Sequence, residues 1–515
     1  MRDKFVNEAA VDYTRGDAAD ELVKAIKAAE DGFGEKHAAV IAGDHILSGE
    51  YITSVNPSNI NEIVGYVAKG SREMADRAIR AGEMSFKYWG SLSGHERAKY
   101  LYALSAAFKR RRTELTALMM IEGGKIWPEA DGEFAEAVDF IEYYAREAER
   151  LDEGECLVRL PDEDNEMIYR PLGVGAVIPP WNFSLSILTG TTIGPVAAGN
   201  TVVLKPASAT PVIASKFMEM TEEAGFPDGV INFLPGSGEE IGDYLVMHPG
   251  IHFIAFTGSK EVGMHIYEEA AKVRPSQAHL KKTVIEMGGK DAVIVDAGAD
   301  LDSAAAGIVS SAFGFQGQKC SACSRAIILS EVYDETVDRI KQFTSRLGVG
   351  DPRDLAADLG PVIDEAACKK ILGYIEIGRD EGELIYGGRR INDEGYFIEP
   401  TIFKDVDPEA RTAREEIFGP VLSIIRADNF NDALDIANNT IYGLTGSVYS
   451  CDREHLERSR TRFDVGNLYF NRACTGALVG AQPFGGFKLS GTDAKTGSHD
   501  YLKCFMQPKV ISEKF

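Results

Sequence analysis

One cysteine has neighbours that favour nucleophilic chemistry. Cys320 follows Lys319, just after the glycine-rich segment 313–317 (FGFQG). A neighbouring cation can lower the pKa of a thiol, and the thiolate is the form that attacks carbon. Cys320 and Cys323 also have the C-x-x-C spacing, so a thioredoxin-like redox pair, a zinc site and a buried structural thiol stay open. Zinc is the weakest of these, because no second C-x-x-C pair and no paired histidines follow.

Three further segments could serve the same reaction. Glu286 begins the segment 286–290 (EMGGK) at the end of a strand-like run, where it could act as a general base or be a plain turn residue. The segment 256–263 (FTGSKEVG) follows a strand and opens a helix, whose N–H groups could hold a pyrophosphate. The segment 236–242 (GSGEEIG) resembles a dinucleotide loop but has one residue too many before its last glycine. For both glycine loops, an ordinary turn stays open.

Alternating strands and helices must position these segments. Apolar, β-rich runs predict buried strands at 174–178, 201–204, 230–234 and 253–257. Helical spacing predicts helices at 212–224 and 239–247, and it dominates 71–145. A second alternating series extends from about Thr283 to Tyr469. Such alternation predicts an α/β fold with parallel sheets covered by helices.

Three segments stand apart from this alternation. Residues 1–35 look like an accessory segment with a helical stretch at about 18–29, and residues 152–166 form a strongly acidic excursion. The most basic run, 109–112 (KRRR), falls within a helical pattern, which predicts a solvated helix face.

The bulk properties exclude several classes of partner. The net charge is -24, from 55 basic and 79 acidic side chains, which disfavours nucleic acid and anionic membranes as partners. No stretch is apolar enough for a membrane span, and the N-terminus lacks the apolar core of a secretory signal. An odd number of cysteines, seven, argues against a disulfide framework. A reducing cytoplasm is therefore the expected location.

Seven short motifs together resemble the aldehyde dehydrogenase superfamily. They appear in that family's order and approximate spacing, and the resemblance covers about residue 36 to the C-terminus. The motifs are PWNF (180–183), KPAS (205–208), FTGS (256–259), EMGGK (286–290), GQKC (317–320), EEIFGP (415–420) and PFGG (483–486). Within the superfamily, three segments are similar to the branch that oxidises L-glutamate γ-semialdehyde: 135–145, 313–321 and 466–472 leading into 475–477.

The resemblance implies the aldehyde dehydrogenase fold and its division into domains. A Rossmann-like NAD-binding domain would comprise residues 36–148 and 168–285, and an α/β catalytic domain residues 286–490. A small β oligomerisation element would comprise 149–167 and 491–515, after an N-terminal extension at 1–35. Because this element usually extends a neighbouring subunit's sheet, a homodimer or a larger homo-oligomer is expected.

The resemblance also implies the catalytic chemistry. The Cys320 thiolate would attack the aldehyde carbon, since an aldehyde donates hydride poorly until a nucleophile makes that carbon tetrahedral. The Asn182 side-chain amide and the Cys320 backbone N–H would stabilise the oxyanion. After hydride transfer to the nicotinamide, water activated by Glu286 would hydrolyse the thioester. The expected reaction converts L-glutamate γ-semialdehyde, formed from 1-pyrroline-5-carboxylate, to L-glutamate in the second step of proline catabolism.

The implied ligand-binding residues fall into two sets, and no metal site is expected. The cofactor residues are Trp181, Lys205, Ser208, Gly238, Gly258, Ser259, Glu416 and Phe418. The substrate residues are Phe183, Ser321, Gly476, Ala477 and Phe484. NAD is the expected cofactor, but Ser208 stands where many NAD-specific relatives carry glutamate. NADP therefore stays possible, because serine does not repel a 2′-phosphate.

Rival functions remain at this point. A CoA-acylating dehydrogenase would pass the thioester to CoA, but Glu286 argues against it because activated water would consume the acyl group. A dehydrogenase of broad specificity and a non-catalytic use of the fold also stay open. Cys323 stands where relatives more often have a small residue without a thiol, which suggests the hypothesis of a Cys320–Cys323 redox lock.

Overall fold

The computed structural model describes residues 4–155 and 157–515, so Cys156 lies outside the described residues. The helices are α1 (Gly16–Asp31), α2 (Arg72–Trp89), α3 (Gly94–Arg110), α4 (Arg112–Gly123), α5 (Trp127–Leu151), α6 (Ser186–Ala197), α7 (Pro211–Glu223), α8 (Asp243–Met247), α9 (Lys260–Ala270), α10 (Leu301–Phe313), α11 (Tyr333–Thr344), α12 (Glu365–Glu381), α13 (Arg411–Arg414), α14 (Phe430–Asn438) and α15 (Arg453–Arg462). The strands are β1 (Glu35–His37), β2 (Ala39–Ile41), β3 (Asp44–Ile46), β4 (Tyr51–Val55), β5 (Ile63–Ala68), β6 (Glu163–Pro171), β7 (Val174–Ile178), β8 (Thr201–Leu204), β9 (Ile231–Phe233), β10 (Phe253–Thr257), β11 (Lys282–Glu286), β12 (Asp291–Val295), β13 (Cys323–Leu329), β14 (Glu383–Tyr386), β15 (Thr401–Lys404), β16 (Val421–Ala427), β17 (Tyr442–Gly443), β18 (Thr445–Tyr449), β19 (Asn467–Phe470), β20 (Phe487–Lys488) and β21 (Met506–Lys514).

The first large sheet has the order β11-β10-β7-β8-β9-β2-β3. Strands β7 to β11 pair in parallel, whereas β2 and β3 add an antiparallel edge. Strands β7 and β8 are buried along their whole length, as expected of parallel strands covered on both faces. The predicted parallel sheet and its four strands are confirmed.

The second large sheet has the order β14-β15-β16-β13-β12-β18-β19. All its pairs are parallel except β14 with β15. The chain passes from the first sheet to the second between β11 and β12, through residues 287–290. Glu286 therefore ends one sheet immediately before the other begins.

The predicted helix at 239–247 is helical throughout, but its first part is not an α-helix. Residues Gly238–Gly242 form a π-helical turn, and α8 follows it. The Ser237 side chain accepts a hydrogen bond from the Glu240 backbone N–H (3.2 Å) at the start of this turn. The wider turn accounts for the extra residue before the last glycine of the loop.

The basic run at 109–112 is a solvated face only in part, because Lys109 and Arg110 are exposed whereas Arg111 and Arg112 are half-buried. Arg112 donates to both carboxylate oxygens of Asp131 (2.7 Å each) and to the Ala9 carbonyl (2.8 Å). Arg111 bonds Glu114 and Glu219. The run also ties α3 and α4 to neighbouring segments, among them the N-terminal one.

Residues 163–171 pair with 506–514 in an antiparallel two-stranded sheet apart from the two large sheets. Strand β6 continues to Pro171, past the predicted limit at residue 167, and α5 extends to Leu151, past the predicted start at 149. Strand β21 is largely exposed along its length, whereas most residues of β6 are half-buried. Across residues 4–155 and 157–515, no helix is long and apolar enough to cross a membrane.

Candidate active site

Cys320 lies in a turn whose backbone is held in an unusual conformation. Phe315, Gln316 and Gly317 are consecutive residues with φ of 48°, 54° and 64°. Non-glycine residues rarely adopt this left-handed region, and such strain persists where the surroundings enforce it. At Gly317, a Cβ would overlap the Gly419 backbone, so glycine is required there. The turn ends at Cys320, which is half-buried and lies three residues before the start of β13.

Asn182 lies beside the same turn. It follows β7, is 4% exposed and donates its side-chain N–H to the Gln318 carbonyl (2.9 Å). The amide is therefore fixed to the backbone of a residue two positions before the nucleophile. This placement supports the predicted partnership of Asn182 with Cys320.

Glu286 is a buried carboxyl whose oxygens lie free of close hydrogen bonds from the described residues. It is 8% exposed, and neither carboxylate oxygen has a partner of ordinary geometry among the described residues. Gly485 and Gly491 approach it so closely that a Cβ at either would lie 3.3 Å or 3.0 Å from a carboxylate oxygen. Burial raises the pKa of Glu286 well above its usual range, opposed in part by Lys495. A buried carboxyl with a raised pKa and free oxygens suits a general base.

The expectation that Lys319 lowers the pKa of Cys320 is wrong. The Lys319 ammonium points toward Glu129, 3.4 Å from its carboxylate. Burial, together with the negative charges of Asp291, Glu416 and Glu286, raises the pKa of the Cys320 thiol well above its usual range. The thiol is thus protonated in the resting site and needs a proton acceptor before it can attack.

The two glycines after Glu286 are explained by close approaches. A Cβ at Gly288 would overlap the Glu416 carboxylate, and a Cβ at Gly289 would overlap the Cys320 backbone carbonyl. Gly289 also donates its N–H to Glu416 (3.1 Å). The segment 287–290, which connects the two large sheets, therefore lies against the predicted cofactor residue Glu416 and the backbone of Cys320.

Six of the predicted cofactor residues follow the carboxyl ends of strands in the first sheet, where such sheets bind dinucleotides, whereas Glu416 and Phe418 lie between β15 and β16 of the second sheet. Lys205 follows β8, and its ammonium donates to the Pro206 carbonyl (3.0 Å) with no carboxylate partner in the described chain. Burial lowers the pKa of Lys205 to about 8. Ser208 lies exposed on the next turn, and exposed Gly238 opens the π-helical turn.

The remaining cofactor residues border the catalytic turn. Ser259 caps the N-terminus of α9, accepting the Val262 N–H (3.4 Å), and Gly258 donates its N–H to the Glu286 carbonyl (3.1 Å). Trp181 packs edge-on against Phe418, with ring centroids 5.6 Å apart. Three features together fit a pyrophosphate and ribose hydroxyls. They are the N-terminus of α9, the buried Lys205 ammonium and the half-buried Glu416 carboxylate.

One cavity of about 370 Å³ joins the reactive groups to the predicted substrate residues. Its lining includes Cys320, Glu286, Phe183, Ser321, Gly476, Ala477 and Phe484. The Gly476 backbone is left-handed, with φ of 76°, so the loop there depends on glycine. The structure thus brings the predicted catalytic residues Cys320 and Glu286 and all five predicted substrate residues to one cavity.

Sequence reasoning missed the acidic wall of this cavity. Glu133 and Glu136 of α5 line it, as does Lys125, which forms an ion pair with Glu133. The Lys125 ammonium lies over the rings of Phe183 (4.7 Å) and Phe315 (4.3 Å). Burial raises the pKa of Glu136 to about 7. A signal was present, because Glu136 falls within the segment 135–145 that carried part of the resemblance.

Cys323 belongs to the core beneath the site. It is 1% exposed, its thiol lies 3.4 Å from the Arg325 carbonyl, and it shares a hydrogen bond with Cys474. Cys474 in turn lies 3.4 Å from the Ser321 carbonyl through its sulfur. The thiol that Cys323 contacts is therefore Cys474, and the hypothesis of a Cys320–Cys323 lock gains no support from this contact.

Known proteins share both the sequence and this architecture. The aldehyde dehydrogenase family is matched over residues 46–511. A 1-pyrroline-5-carboxylate dehydrogenase of Geobacillus sp. (strain WCH70) is 52% identical over 515 residues, 100% of each chain. The crystal structure of a Thermus 1-pyrroline-5-carboxylate dehydrogenase with bound NAD has a TM-score of 0.99 and 50% identity, covering 100% of both chains. A Staphylococcus aureus betaine aldehyde dehydrogenase in complex with NAD+ has a TM-score of 0.89 and 28% identity, covering 96% of this chain and 97% of its own.

Proposed function

The chain belongs to the aldehyde dehydrogenase family, and on that premise we propose that it oxidises L-glutamate γ-semialdehyde to L-glutamate with NAD. This is the oxidation of 1-pyrroline-5-carboxylate in proline catabolism. The observation that carries the proposal is the single cavity in which Cys320 and Glu286 face Ser321, Gly476 and Ala477. The relatives that share the whole length of the chain carry the name of this activity.

Cys320 begins the reaction by adding to the aldehyde carbon. Its thiol gives up a proton to water in the cavity as the carbon–sulfur bond forms. The carbonyl oxygen becomes an oxyanion, which the Asn182 amide and the Cys320 backbone N–H stabilise. The resulting thiohemiacetal carbon is tetrahedral and ready to lose hydride.

The residues around the dinucleotide site would hold the cofactor in place. Lys205 would bind the adenosine ribose hydroxyls, Ser259 the pyrophosphate and Glu416 the nicotinamide ribose. When bound, NAD accepts the hydride and leaves a thioester on Cys320. Glu286 then removes a proton from water, which adds to the thioester carbon and releases the acid and the thiol.

The far end of the cavity suits an amino acid. The Ser321 hydroxyl and the N–H groups of Gly476 and Ala477 can bind a carboxylate without an arginine. Glu136 presents a carboxyl that would be stabilised by an ammonium group, since burial holds its pKa near 7. Anion donors and an acidic wall within one cavity match the two α-groups of glutamate γ-semialdehyde.

The assembly and location follow as part of the same proposal. Strands β6 and β21 are exposed along an edge that a neighbouring subunit could cover, which supports a homodimer or a larger homo-oligomer. The extension, NAD-binding, catalytic and oligomerisation units are part of the proposal, with the boundaries at 149 and 167 moved to the end of α5 at Leu151 and the end of β6 at Pro171. The partners are small molecules rather than nucleic acid or membrane, and the location is cytoplasmic.

An assay of NADH formation tests the proposed function against its rivals. The enzyme is supplied with glutamate γ-semialdehyde or butanal, each with and without CoA. We expect kcat/KM for the semialdehyde to exceed that for butanal by at least about tenfold, from charge-assisted hydrogen bonds to the α-groups. Equal kcat/KM values for the two aldehydes would indicate a dehydrogenase of broad specificity. A requirement for CoA would indicate the acylating reaction, and no NADH with any aldehyde would indicate a non-catalytic protein.

A further inference from the structure

The N-terminal segment enters the substrate cavity. Glu8 and Ala10 line it together with α5 and the loop 475–479. These two residues lie more than a hundred positions from every other residue of the lining. The segment is therefore placed where it can affect the bound substrate.

Hydrogen bonds fix this segment to α5. The Asp139 carboxylate accepts the Asn7 side-chain N–H (2.7 Å) and the Glu8 backbone N–H (2.7 Å). The Asp131 carboxylate accepts the Val11 backbone N–H (2.8 Å). Three hydrogen bonds from one short segment to two carboxylates of a single helix define its path over the cavity.

Asn7 also reaches the loop 475–479, which lines the same cavity. The amide nitrogen that bonds Asp139 also donates to the Val479 carbonyl (3.0 Å). Next to this contact, the Phe5 ring packs edge-on against Tyr143, with centroids 5.2 Å apart, and its edge lies 3.3 Å from where a Gly480 Cβ would be. Asn7 thus joins the rigid helix α5 to an irregular loop.

The loop needs such support because it has no regular secondary structure. Residues 475–478 form neither helix nor strand. The Thr475 and Gly476 carbonyls accept from Arg472 (2.8 and 2.9 Å), and these contacts hold only the start of the loop. At its other end, the Val479 carbonyl accepts from Asn7, the Leu478 N–H donates to the Gln482 side chain (3.0 Å) and the Gly480 N–H donates to the Gly497 carbonyl (3.0 Å). Of these contacts, only the Asn7 bond links the loop to the N-terminal segment and, through Asp139, to α5.

We propose that residues 5–11 form a wall of the substrate site and that Asn7 is a positioning residue for substrate recognition. By holding Val479, Asn7 keeps the Gly476 and Ala477 N–H groups aimed at the α-carboxylate. This inference rests on the proposed function, because it concerns how that substrate is bound. Asn7 touches neither Cys320 nor the cofactor residues, so it acts on binding rather than on the chemical step.

Asn7→Ala tests the inference, with Thr14→Ala as the matched control. Thr14 lies in the same N-terminal region and its side chain bonds Asp12 on the surface, outside the cavity. In Asn7→Ala we expect KM for glutamate γ-semialdehyde and Kd for L-glutamate to rise about three- to tenfold, the loss expected for one hydrogen bond. Saturating kcat, Kd for NAD and kcat/KM for butanal should stay within twofold of wild type. Thr14→Ala should match wild type throughout.

Three outcomes would overturn the inference. These are an unchanged preference for the semialdehyde in Asn7→Ala, an equal loss for both aldehydes, or a fall in Tm with no change in Kd for L-glutamate. A chain that begins at Tyr13 should lose preference at least as strongly as Asn7→Ala; if that chain does not fold, the point variant decides. A wild-type enzyme without preference would instead refute the proposed function, so the two failures are distinguishable.

Discussion

Two buried glutamates, one in the helical layer and one in the catalytic cleft, share a raised pKa but differ in their partners. Glu122 of α4 is completely buried and accepts hydrogen bonds from Ser54 (2.6 Å) and from the Val212 and Ile213 backbone N–H groups (2.8 Å each). Glu286 is almost as buried and accepts none of ordinary geometry. Burial is the largest cause of the raised pKa in both, to about 7 for Glu122.

The difference in hydrogen-bond partners distinguishes Glu122, a structural carboxyl, from Glu286, a reactive one. Val212 and Ile213 lie in the first turn of α7, so Glu122 satisfies N–H groups that a helix leaves unpaired at its start. Glu286 pairs with no helix N–H of this kind among the described residues, and Lys495 offsets its desolvation only in part. A raised pKa alone therefore does not identify a catalytic residue; free oxygens in a cavity shared with a nucleophile do.

The largest effect is expected for the nucleophile of the cleft. Cys320→Ser should fold and bind NAD but lose at least about a thousandfold in kcat, because a hydroxyl is a much weaker nucleophile than a thiolate. Steady-state NADH formation measures the loss. Cys323→Ser is the control and should stay largely active, since a hydroxyl can still donate to the Arg325 carbonyl. Near wild-type turnover by Cys320→Ser would reject the assignment of the nucleophile.

Glu286→Gln should stop the reaction after one turnover. The amide cannot remove a proton from water, so NADH should form in a burst of about one per site, followed by a steady rate at least about a hundredfold below wild type. Stopped-flow fluorescence of NADH resolves the two phases. If the burst is also lost, the Glu286 carboxylate is required before hydride transfer, as the acceptor of the thiol proton.

The pH dependence of thioester hydrolysis should follow the ionisation of Glu286. The carboxylate is the active form, and its pKa is raised, so hydrolysis should slow as pH falls through a midpoint well above the usual range of a glutamate. Single-turnover decay of the acyl-enzyme at a series of pH values measures this limb. A midpoint at the ordinary carboxyl pKa would show that burial does not set the ionisation of Glu286.

Glu122→Gln should lower stability and leave kcat almost unchanged, the reverse of what we expect for Glu286→Gln. The substituted amide loses an acceptor oxygen and leaves a helix N–H unpaired, which should lower the free energy of unfolding by about 1–3 kcal/mol. The kcat of the folded protein should remain within twofold of wild type. Urea denaturation gives the stability difference. A large loss of kcat with unchanged stability would contradict the distinction drawn between the two glutamates.

The smallest effect is expected at the cofactor site. Ser208→Glu should weaken NADP use by several-fold more than NAD use, through repulsion of the 2′-phosphate, and the exposure of Ser208 keeps the effect small. The ratio of kcat/KM for the two cofactors measures it. Equal effects would place the side chain away from the adenosine ribose.

The sequence was sufficient for elements whose signal is local. The strands at 174–178, 201–204 and 253–257 were predicted with their observed bounds, because continuous apolar runs between turns have few other interpretations. The order of the motifs also indicated the fold and the family, which the comparisons confirm.

What the sequence could not show depends on long-range contacts. Lys319 was expected to lower the pKa of its neighbour, but its ammonium pairs with Glu129, which is 190 positions away. The cavity wall formed by Glu8 and Glu136 likewise combines segments far apart in the chain. The basic run at 109–112 has the composition of a solvated face, yet Arg111 and Arg112 bond Glu219 of α7 and the Ala9 carbonyl, both about a hundred positions away.

Mass spectrometry of Glu286→Gln after reaction with NAD and glutamate γ-semialdehyde tests the central claim most directly. The account predicts one glutamyl group per chain, bound as a thioester and located on Cys320 by peptide mapping. An adduct on Cys323 or elsewhere, or a complete burst of NADH without any adduct, would contradict it.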